Sequence, residues 1–109
     1  MVTASIMSEQ AAGKLPPQAP EIEQLVLGAT MLVEGTYDEI GFLKDNHFYV
    51  HSHAKIWAAI ASVAESGAHP DMGLVTEALK KAGTLDIVGG PFYVSQLTNK
   101  VAGSTNAEY

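Results

Sequence analysis

The sequence predicts an all-α domain, a compact bundle of about five to six short helices. Two observations carry that prediction. Apolar residues recur at spacings of three and four in several separate segments, and most of these segments open on a capping residue or proline and close on glycine. No pair of segments shows the alternation and tight turn of a β-hairpin. Asp86-Ile87-Val88-Gly89-Gly90 could end a strand, but nothing in the chain pairs with it.

Residues 1–18 are rich in Ala, Ser, Gln and Pro without sustained periodicity, and read as a flexible leader before a helical domain over 19–109. Pro20 suits the first position of a helix, where its missing N–H costs nothing. Glu21 and Glu23 follow in the first turn and complement the positive end of the helix dipole. Ile22, Leu25, Val26, Ala29 and Leu32 or Val33 mark one apolar face, and Gly35 ends the helix. Thr36 and Glu39 have the spacing of a capping box for a short helix that buries Ile40 and Leu43. The stretch from Lys44 to His51 reads as a turn carrying an aromatic plug, Phe48-Tyr49.

Ser52 to Ser66 is helical again, with Ile56, Ile60 and Val63 on one face, Trp57 beside them and Gly67 as the stop. Asp71 caps the next helix, which is expected to bury Leu74, Val75, Ala78 and Leu79 before Gly83. Leu85 and Ile87 pack as the chain turns at Gly89 and Gly90. Pro91 opens another short helix with Phe92, Val94 and Leu97. Val101-Ala102-Gly103-Ser104 lacks a strong apolar anchor, so a loose turn is expected there. Thr105-Asn106-Ala107-Glu108 then has the pattern of a new helix start, and on that ground the sequence is expected to be a piece of a longer chain.

Composition narrows the function. A length of 109 residues indicates one domain, and 47% hydrophobic residues is ordinary for a globular chain. No apolar run approaches the ~20 residues of a membrane span, and residues 1–13 lack the basic start of an export signal. With no cysteine, disulfides and thiolate zinc sites are excluded. A cytoplasmic location is the expectation. The net charge is −6, and six scattered lysines without a single arginine make no footprint for phosphate binding. Direct contact with nucleic acid is therefore not expected.

Catalytic chemistry is not expected either. No glycine-rich phosphate loop ending in Lys and Ser or Thr occurs; Gly89-Gly90-Pro91-Phe92 and Gly13-Lys14-Leu15 both lack its elements. His47, His51 and His53 cluster, yet no Cys, Asp or Glu falls at matching spacing to complete a metal site. His69, before Pro70, reads as a solvent-facing turn residue. The acid pairs Glu21 with Glu23 and Asp38 with Glu39 are explained by helix dipoles and capping, and no spacing argues for a cleft between them.

The order of peptide signatures is more specific than any one of them. Pro16-Pro17 is followed by Glu21-Ile22-Glu23-Gln24-Leu25-Val26-Leu27-Gly28, then Phe48-Tyr49 with His53-Ala54-Lys55-Ile56-Trp57. Asp71, Leu85, Gly89-Gly90, Tyr93, Leu97 and Asn106-Ala107-Glu108-Tyr109 come after. From Pro16 to Tyr109 this series resembles the N-terminal domain of the bacterial replicative DNA helicase, the DnaB type.

That resemblance implies a domain without catalytic, cofactor or metal residues, belonging to a hexameric motor that unwinds DNA at the replication fork in the bacterial cytoplasm. ATP and Mg would be used by a RecA-like motor that follows a helical hairpin and a linker, none of which this sequence includes. The implied partners are other copies of the chain, arranged as a trimer of dimers, together with primase and a helicase loader. In isolation a monomer or weak dimer is expected, because much of the dimer contact lies in the hairpin. Leu25, Leu27, Gly28, Phe48, Ile56, Leu79, Leu85 and Leu97 fall on positions that look like core, and Gly28 would permit close helix approach. Gly89 and Gly90 make a turn, His53 looks structural, and Glu21 and Tyr93 are the candidates for a partner-facing surface. The competing reading is a small helical DNA-binding module, which the absence of basic helices argues against. A third, a metal sensor or small enzyme resting on the histidines, would need a bound metal or a buried polar pocket.

Overall fold

A computed structural model describes residues 19–107, so the predicted leader and the last residues of the chain lie outside the described part. Five α-helices and one short 3₁₀ turn make up the described residues: α1 (Ala19–Leu32), α2 (Thr36–Ile40), the 3₁₀ turn (Asp45–His47), α3 (His51–Glu65), α4 (Met72–Lys81) and α5 (Gly90–Ala107). No strand occurs among them. The all-α prediction holds.

The helices pack around one core. α1 lies mainly along α5, α3 packs on α4, and α1 and α3 meet between these pairs. Leu27 and Met31 from α1, Ile56, Trp57 and Ile60 from α3, Val75 and Leu79 from α4, and Val94 and Leu97 from α5 are all withdrawn from water. Burying a side chain of this size fully contributes about 1.5–3 kcal/mol, so these few residues dominate the stability of the fold. Trp57 sits at the centre of an aromatic group. Phe48 tilts over it at 5.4 Å between ring centroids and Tyr37 at 5.6 Å, while its indole N–H donates to the Leu43 carbonyl at 2.9 Å.

A side-chain cap and a glycine set one helix start and one helix crossing. Asp71 caps α4 as predicted, its Oδ1 accepting from the Leu74 N–H at 2.8 Å. Gly28 lies where α1 crosses α5. A Cβ there would stand 2.7 Å from Cγ2 of Val101 and closer still to the Leu97 carbonyl oxygen. Only a residue without a side chain lets the two backbones approach so nearly.

Several expectations need correction. Leu25 is not core: it lies on the outer side of α1, more than a third exposed, because the buried stripe runs through Leu27, Thr30 and Met31. Leu85 is half-buried at the edge of the core, and Leu74 and Ile87 are largely exposed. Of the aromatic plug only Phe48 is inserted, while Tyr49 projects to solvent. The capping box at Thr36 does not form. Gly35, in a left-handed conformation at φ 91°, is the N-cap, and no side chain caps α2. The last helix is not short. It runs unbroken from Gly90 through Ala107, so neither a loose turn at Val101–Ser104 nor a new start at Thr105 is present.

Candidate functional site

The first turn of α1 carries a glutamate that the sequence accounts for by dipole alone, and the structure gives it a different task. Glu23 is folded inward and nearly buried. Its Oε2 accepts the Tyr49 N–H at 2.6 Å, and Oε1 accepts the Val50 N–H at 3.2 Å. Oε1 also meets Nδ1 of the fully buried His53 at 2.8 Å. The other ring nitrogen of His53, Nε2, lies 2.7 Å from the Tyr93 hydroxyl, which accepts from the Gln24 amide at 3.2 Å. The His53 and Tyr93 rings stack nearly parallel, 6.1 Å apart.

Donor and acceptor roles follow from that geometry. The Glu23 carboxylate can only accept, so His53 Nδ1 donates. Gln24 donates to the Tyr93 oxygen, and the Tyr93 hydroxyl and Nε2 share the 2.7 Å bond, whichever of the two carries its proton. Every buried side-chain nitrogen and oxygen among the described residues has a partner. The result is a closed polar clasp joining α1, the loop before α3, the start of α3 and the start of α5.

The clasp also shows where sequence reasoning fell short. Glu23 was legible as the neighbour of Glu21 but not as a buried group, because dipole complementarity explains both equally well. Its signal is position: on the helical wheel Glu23 falls beside Leu27 and Thr30, on the buried side, whereas Glu21 falls beside Leu25 and Leu32. Tyr93 is half-buried, and its polar tip faces inward to His53 instead of outward to a partner. Glu21 is exposed. Gly89 and Gly90 do form the turn before α5, both at positive φ, and a Cβ on Gly89 would press within 2.9 Å of the Tyr93 Cβ. The turn thus helps to seat the tyrosine.

The remaining histidines stand apart in role. His53 is structural, as its clasp partners show. His47 accepts the Lys44 N–H on Nδ1 at 2.9 Å, closing the 3₁₀ turn, and His51 is exposed at the start of α3. His69 is not a solvent-facing turn residue: Nε2 bonds the Met31 carbonyl at 2.9 Å and ties the turn before α4 to the end of α1. No group of three or more His, Asp or Glu residues able to hold a metal occurs among the described residues. No helix there is long and apolar enough to cross a membrane. The arrangement can hold elements in register. It presents no cleft with a nucleophile and base aimed into it.

Comparison with known proteins places this helical scaffold. The family model described as the DnaB-like helicase N terminal domain matches residues 15–109. The chain belongs to that family. The replicative DNA helicase DnaB of Rhodothermus marinus is 40% identical over 101 residues, covering 92% of this chain and 11% of that protein. DnaB of Geobacillus stearothermophilus is 38% identical over 106 residues, covering 94% of this chain and 23% of that protein. The crystal structure of the N-terminal domain of DnaB helicase from Mycobacterium tuberculosis superposes with a TM-score of 0.71 at 29% identity, over 77% of this chain and 59% of that one. The chain therefore spans between about a tenth and a quarter of the length of these DnaB proteins, and the DnaB N-terminal domain is the part it matches.

Proposed function

We propose that this domain is the non-catalytic scaffold tier of a replicative DNA helicase that unwinds duplex DNA at the replication fork, in the bacterial cytoplasm and associated with the nucleoid. In this reading it supports assembly of a hexameric ring as a trimer of dimers, and it docks primase and a helicase loader. ATP and Mg belong to the motor of the longer protein. The observation that carries the reading is the family match over residues 15–109. The clasp supports it from the side of physics: a buried, fully satisfied polar network holds helix ends in fixed register, which suits a domain that presents surfaces. The acidic balance, −6, supports contact with proteins over contact with DNA.

The test extends the chain through the hairpin, linker and motor and weighs the product by light scattering with and without ATP. The expected outcome is a hexamer that hydrolyses ATP, beside a 109-residue chain that is a monomer or weak dimer. A longer chain with neither ring nor hydrolysis would sink the reading and bring forward the small helical DNA-binding module. Tight hexamers of the 109-residue chain alone would refute the part assigned to the hairpin.

A further inference from the structure

We draw no further inference here: the strongest candidate, the open groove between α2 and the outer face of α3 lined by Tyr37, Trp57 and Glu65, carries nothing because nothing in the structure shows what covers it.

Discussion

Tyr37 carries the clearest single-residue consequence for stability. Its hydroxyl is held above the usual tyrosine value of about 10 by burial first and by Glu65 second. Below that value it is neutral in both folded and unfolded chains, and its contribution is fully present. As pH rises past about 10 the unfolded chain gives up the proton first, so it binds fewer protons than the folded one and stability falls. The loss is complete once the folded value is passed. In denaturant melts across this range the wild type should lose stability relative to Tyr37→Phe as pH rises, because phenylalanine keeps the ring against Trp57 and has nothing to titrate. A difference that stays flat through the alkaline range would contradict the assignment.

Among elements, the α1–α5 crossing depends on one position. Gly28 has no room for a Cβ against the Leu97 carbonyl and Val101. Gly28→Ala must therefore push the helices apart, and overpacking of this kind costs about 1–3 kcal/mol. The gain in helix propensity from alanine, about 1 kcal/mol, offsets part of this loss and leaves a net cost of up to about 2 kcal/mol. For a domain of this size that lowers the melting temperature by up to roughly 15 °C, readable by calorimetry. A variant as stable as the parent would show that α1 and α5 can separate freely. The sequence offered the expectation of close approach at Gly28 through resemblance. Which carbonyl it meets depends on α5 continuing past Leu97, and that continuation was hidden by Gly103 and by the cap-like pattern at Thr105.

At the scale of the whole molecule, the clasp ties together residues far apart in the chain: Glu23 with His53, and His53 with Tyr93. Glu23→Gln replaces an acceptor of three bonds by an amide whose NH₂ faces donors, and should cost about 3–5 kcal/mol, as breaking a buried pair does. Tyr93→Phe leaves Nε2 of His53 and the Gln24 amide without a partner, at a cost of about 1–3 kcal/mol. Chemical denaturation of both single variants and the double variant should give a double-mutant cycle with coupling above about 0.5 kcal/mol, because both act through one ring. Strict additivity would mean that the two contacts are independent.

Much of this protein was legible in its sequence, and the reason is locality. Helix periodicity, the Asp71 cap and the core positions Ile56, Leu79 and Leu97 depend on neighbours within a few residues, which the order of amino acids states directly, whereas Leu27 as core was offered only by the resemblance. The long α5 and the uncapped start of α2 were missed for the converse reason: capping patterns are common, and packing decides which of them form. The candidate site was less legible still. Glu21 and Glu23 look alike along the chain, and only the rotation of α1 against the core turns one to water and the other to His53. Sequence by itself determined the helical class and the family; the tertiary structure alone decided which polar groups are buried together, because that follows from contacts between residues about thirty to seventy positions apart.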